Sequence, residues 1–150
     1  MAKFVYRMQN ILDIKYKLEE QEKTAYGIAN RRLQEENQKL QQLMLRRMEY
    51  EKRAGELAVG KIDVRAIHEN KRAIDAMKSL IRDQIMQVHV AEKNVELARK
   101  RLNAVMVERK AQEKLREKAF EEFKAQLAAE EAKEIDQLVS FTYHDHTQEE

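Results

Sequence analysis

The chain has 150 residues, with no proline, cysteine or tryptophan and only three glycines. Charged residues make up 37% of it and aromatics 6%, for a formal net charge of +2. Loops and turns recruit Pro and Gly, so this composition excludes a loop-rich globular core, and no apolar run approaches the ~18 residues that a membrane span needs. What it predicts instead is long helices or a coiled coil, because Ala, Glu, Lys, Leu, Arg and Gln dominate with helical spacing. Disorder is the rival reading of high charge and few aromatics. The small net charge and an apolar fraction of 43% weigh against it.

In chain order, residues 4–58 read as a first helix. Phe4, Met8, Ile11, Leu18, Ala25 and Ala29 step by threes and fours with weak positions between them. After Ala29 the stripe slips to Leu33, Leu40, Leu43, Tyr50, Ala54 and Leu57. A slip of that kind predicts a stutter that relaxes the supercoil. Gly27 falls inside this helix at a cost of about 1 kcal/mol relative to Ala.

A turn is expected at about 59–63, in RAGELAVGKIDVRAI. Gly55 and Gly60 are candidate helix stops, since Gly enters the left-handed conformation without steric cost. Asp63 is a candidate N-cap, and Ile62 with Ile67 has the spacing of a hydrophobic staple.

The second helix is expected over 64–138. Ile67, Ile74, Ile81, Val88, Val95 and Leu102 lie seven apart, with Met77, Gln84, Ala91, Ala98 and Val105 at the companion positions. A strict seven-residue repeat imposes left-handed supercoiling with a partner helix. A short loop favours an antiparallel neighbour. The fold class is therefore all-α, an antiparallel coiled-coil hairpin over 1–138 with the longer helix second. Parallel dimerisation of each helix is the alternative. Residues 139–150 are expected to form a polar, disordered tail. Folding at Gly60 sets Phe4 opposite Arg116, and leaves Phe120, Phe123 and Leu127 in an overhang with no helix-one partner.

Charge is uneven along the chain. Lys93–Lys118 carries nine Lys/Arg against four Glu, while Ala119–Glu150 carries two Lys against nine Asp/Glu. Such runs are commonly solvated faces, and they also suit partners of opposite sign.

Catalytic chemistry is missing from the sequence. It contains no Cys nucleophile, no Gly-rich phosphate loop and no HExxH. His68 and His89 take solvent-facing positions of the repeat. The His144-Asp145-His146 run lacks the surrounding contacts that hold metal ligands in place. No enzyme, cofactor or metal site is expected. In ARKRL (98–102) the three basic residues splay around a helix and no aromatic is interleaved to stack bases, which argues against nucleic-acid binding. Zero cysteine fits a reducing compartment, and Arg7, Asp13 and Lys15 interrupt any signal-peptide core. A cytoplasmic protein is the expectation.

One stretch carries surplus apolar residues. In IDAMKSLIRDQIMQV (74–88) and the residue before it, Ala73, Met77, Leu80 and Gln84 line a ridge beside the seam, at a spacing that docks a helix face into a groove. The segments KFVYRMQNILDIKYKLEEQEKTAYGIANRRL and QKLQQLMLRRMEY, the mid-chain break and the second long helix together resemble the FliJ family of the bacterial flagellar type III export apparatus. The resemblance covers Phe4 to about Leu138. It implies a coil similar to the stalk subunit of rotary ATPases, with its terminal end seated in the hexameric export ATPase (FliI-like). At that end lie Phe4, Met8, Phe120, Phe123 and Leu127. It also implies contact with the export gate protein (FlhA-like) through Ala73, Met77, Leu80 and Gln84, and handling of export chaperones. Such a protein sits in the cytoplasm, peripheral to the membrane at the flagellar base and without inserting in it. A generic spacer or homodimerising scaffold is the alternative.

Overall fold

A computed structural model describes residues 2–148, with side chains described as far as Thr147. Two helices account for nearly all of it, α1 (Gln9–Leu57) and α2 (Val64–Gln148), and no strand occurs among the described residues. The fold is the expected helical hairpin with the longer helix second. With no proline anywhere, nothing interrupts the backbone ladder of either helix.

Three boundaries differ from the sequence reading. Helix α1 starts at Gln9, not near Phe4. Residues 2–6 have no regular secondary structure, and the helix is entered through a turn in which Gln9 N donates to the Tyr6 carbonyl at 3.1 Å. Phe4 is drawn out of helical register by packing on two phenylalanines of α2. Gly55 lies inside α1 and does not end it. At the other end, α2 continues through the stretch read as a polar tail to Gln148, and Glu149 and Glu150 lie outside the described residues.

The turn forms as its residues dictate. Helix α1 closes with Ala58 N donating to the Ala54 carbonyl (3.2 Å) and Val59 N to the Glu56 carbonyl (3.3 Å). Gly60 then takes a φ of +82°, the one positive value among the described residues. Asp63 Oδ1 accepts from the backbone amides of Arg65 (3.1 Å) and Ala66 (3.3 Å), capping α2. Ile62 stays largely in solvent, so the turn rests on the glycine and the cap.

Contacts divide the chain into two compact units, Met1–Glu19 with Val105–Glu150 and Glu20–Ala104. Within each unit the helix pairs run antiparallel. In the first, Glu19 meets Arg109 and Gln9 meets Arg116. In the second, Glu36 meets Gln84 and Tyr50 meets Asn70.

The seam of α2 is the expected one. Ile81, Val88, Ala91 and Ala98 are buried, and Ile67, Ile74, Met77, Val95, Leu102 and Val105 are half-buried. The seam of α1 is different. Besides the half-buried Leu18 and Asn30, its inward positions are Leu12, Lys15, Glu19, Glu22, Tyr26, Ala29, Leu33, Glu36, Leu40, Leu43, Arg47, Tyr50, Ala54 and Leu57. They alternate threes and fours without a slip, so α1 contains no stutter. Met8, Ile11 and Ala25, read as seam residues, are exposed. Polar residues occupy the missing positions, and this hid the repeat.

Gly60 and Gly27 should respond oppositely to a methyl group. Nothing lies within 4 Å of a Cβ at either, but only Gly60 has positive φ. Gly60→Ala should lower stability by about 1 kcal/mol through left-handed strain, while Gly27→Ala, inside α1, should raise it by about 1 kcal/mol. Denaturant unfolding followed by circular dichroism measures both.

Candidate functional site

Among the described residues, no group of three or more His, Cys, Asp or Glu is placed to hold a metal. No helix among them is long and apolar enough to cross a membrane. Each unit exposes apolar surface.

In the second unit, the ridge read from the sequence is split by the fold. Ala73, Met77 and Gln84 are half-buried. Leu80, with 46% of its surface exposed, is the member that faces solvent. Gln84 turns onto α1, where its Nε2 donates to the Glu36 carbonyl at 2.9 Å and to Glu36 Oε2. Its amide is spoken for within the coil. Ile85 and Met86 add exposed apolar surface.

Sequence reading missed the α1 side of this region. Met44, Leu45 and Met48 are all exposed. Leu45 helps line an open hollow of about 610 Å³ with Lys39, Gln42, Leu43, Arg46, Glu49 and Gln84. The surplus of apolar residues in LMLRRM (43–48), beyond what one seam uses, was the signal available.

Glu36 anchors the same region. Its side chain is only 4% exposed, yet it sits within 3.0 Å of Arg32 Nη2 and 3.7 Å of Lys39 Nζ. The Gln84 hydrogen bond, helped by these two cations, holds its carboxyl below the usual carboxylate range, and desolvation opposes them. Asn70 is the other polar intruder. Its Nδ2 donates to the Tyr50 carbonyl at 2.9 Å, while its Oδ1 is buried with no partner.

In the first unit, the terminal cluster has a partner that the sequence reading denied it. Phe4 packs edge-on against Phe120 (centroids 5.1 Å, 64°) and tilted against Phe123 (5.5 Å, 49°). The Arg116 guanidinium lies 5.5 Å from the Phe4 ring, and Lys124 Nζ lies 4.9 Å from the Phe120 ring. Phe120 and Phe123 are therefore not a bare overhang. The seven residues ahead of α1 follow a different path from a helix and reach them. Leu127 is half-buried and Met8 exposed.

A polar network backs this cluster. Arg109 forks onto Glu19 (Nε to Oε2 2.7 Å, Nη2 to Oε1 3.1 Å) and also donates to Glu113 at 3.1 Å. Lys15 pairs with Glu108 at 2.7 Å, and Tyr6 donates to Gln112 at 3.1 Å. The Tyr16 hydroxyl donates to Glu113, which holds that carboxyl below its ordinary value and raises the phenol. Hydrogen bonds from the guanidinium to Glu19 hold Arg109 more firmly protonated than usual. Such a set positions helices; it offers no nucleophile.

Beyond Leu127, Ile135, Leu138, Val139, Phe141 and Tyr143 all stand exposed on α2. Reading 139–150 as a tail obscured this face, although the spacing 135, 138, 139, 142, 143 was there to be read.

Two measurements test the seam. A depressed carboxyl stabilises the fold above its unfolded value and ceases to do so as pH falls through the folded value. The Glu36 contribution should thus be complete above its ordinary value of 4.5 and be lost at more acid pH. Glu36→Gln should show a smaller loss of melting temperature than the native chain between about pH 6 and about pH 3. Asn70→Leu removes an unpartnered oxygen and should raise stability by about 1 kcal/mol in denaturant unfolding.

Comparison with known proteins adds one finding. The family model described as Flagellar FliJ protein matches residues 4–148. No curated protein and no solved structure matches the chain. A match over nearly the whole chain, on a two-helix hairpin, establishes that the chain belongs to the FliJ family of flagellar, export-associated proteins.

Proposed function

We propose that this chain is a non-enzymatic coupling element of the flagellar type III export apparatus. It links the hexameric export ATPase to the membrane export gate and assists export chaperones. It works in the cytoplasm, peripherally at the membrane, and needs no cofactor and no nucleic acid. The observation that carries this reading is that each unit closes its seam and still leaves apolar side chains in solvent. One such set surrounds Leu80 and the other lies at the terminal end. A two-helix coil has no interior to hold a substrate, so its work lies on its surface.

The gate contact falls on the ridge Ala73, Met77, Leu80 and Gln84. Leu80 is the contacting side chain, and Met77 and Gln84 set its position from the seam. The ATPase contact falls on Phe4, Met8, Phe120, Phe123 and Leu127. Packing of Phe4 against both Phe120 and Phe123 gives that end a pre-formed surface, which reduces the ordering cost of docking.

Leu80→Asp should weaken capture of the export gate protein by about tenfold or more, the effect of placing a charge in an apolar contact, with helicity unchanged. Met77→Asp should unfold the seam locally and lower helicity as well. Gate capture by Leu80→Asp equal to that of the native chain would remove the ridge from the contact. For the terminal end, Phe120→Asp should abolish co-elution with the hexameric ATPase and the stimulation of ATP hydrolysis. Native stimulation by that variant would refute the assignment.

A further inference from the structure

Two exposed apolar faces on α2 are used neither by the seam nor by the proposed contacts. Met86, Val90 and Leu97 are 63%, 51% and 50% exposed. At ~100° per residue they fall on one line of the helix, away from the seam of the second unit. Arg82, Lys93, Lys100 and Arg101 flank that line, and Asp83 is the single acidic residue among them. Arg82, Lys93 and Arg101 form no ion pair among the described residues.

The other face belongs to the first unit. Ile135, Leu138, Val139 and Tyr143 are each 60% or more exposed and share one side of α2. Glu131, Glu134 and Asp145 border it on one edge and Asp136 on the other. These carboxylates also have no ion pair among the described residues. The two faces match in length, since Met86 to Leu97 and Ile135 to His146 each span ~16 Å at 1.5 Å per residue.

We propose that the acidic-edged face Ile135–His146 docks on the basic-edged stripe Met86–Leu97 of a second copy of this chain. The charges select this pairing over the symmetric ones. Acidic face against acidic face, or basic stripe against basic stripe, would set unpaired like charges together in the contact. Opposite faces bury apolar side chains in the middle and leave the charged pairs at the rim, the usual arrangement of a protein interface. The association is head-to-tail, so it is not self-limiting and grows with concentration. It does not depend on the export role proposed above.

The test is sedimentation of the full chain across a dilution series, with circular dichroism to confirm helicity. The native chain should associate, and raising salt from about 50 mM to about 500 mM should weaken association by about tenfold as rim pairs are screened. Leu138→Asp with Val139→Asp, and separately Met86→Asp with Leu97→Asp, should each be monomeric. Mixed together, these two variants keep one intact face of each kind and should form a one-to-one complex. Charge exchange gives an independent arm: Lys93→Glu with Arg101→Glu should weaken association, and adding Glu131→Lys with Glu134→Lys should restore it. A chain that stays monomeric at low salt, association that survives the stripe substitutions, or a mixture of variants that fails to pair would each overturn the proposal.

Discussion

Two helices offer each other a single line of contact, and every inward position must be satisfied by whatever lies across it. That constraint is demanding here because several inward residues are polar. Glu19 takes the Arg109 fork, Glu36 takes the Gln84 amide, and Asn70 reaches the Tyr50 carbonyl. Replacing such groups by apolar ones is often neutral or stabilising, so their worth lies elsewhere. An apolar seam can slide by a heptad at modest cost. A guanidinium that must meet one carboxylate, or an amide that must meet one carbonyl, cannot. Within each unit these contacts therefore specify which residue of α1 faces which residue of α2.

The same constraint decides what is left for partners. Met77 and Gln84 are spent on the seam of the second unit, so Leu80 is the ridge member left in solvent, and Met44, Leu45 and Met48 on α1 add further exposed apolar surface. In the first unit Phe4 packs against both Phe120 and Phe123. Because the seam is narrow, the leftovers are large, and 25 sizeable apolar side chains remain exposed among the described residues. Scattered single ones need no explanation; sets aligned on one helix face do.

Parts of the site were readable before the fold was known. The Ile67-to-Leu102 repeat located α2's buried line, so Leu80 and Met86 could be placed off it. Pairing about Gly60 brought Phe4 opposite Arg116, and the cation–ring distance of 5.5 Å bears that out. What escaped was the non-helical path of residues 2–6, which brings Phe4 onto Phe120 and Phe123. That path is stabilised by aromatic contacts more than 110 positions away in the chain, and no local propensity reports them.

By itself the sequence determined the helical class, the stop at Gly60, the cap at Asp63 and the inward face of α2. Each of these rests on neighbouring residues: the absence of proline, a residue free to take positive φ, a carboxylate beside open amides, a regular apolar period. Only the tertiary structure decided the inward face of α1, the unbroken register that replaces the expected stutter, and the commitment of Gln84. Lys15, Glu19 and Glu36 look like solvent-facing residues until Glu108, Arg109 and Gln84 are set across from them. Whether a polar side chain can be buried depends on its partner, and the partner lies on the other helix.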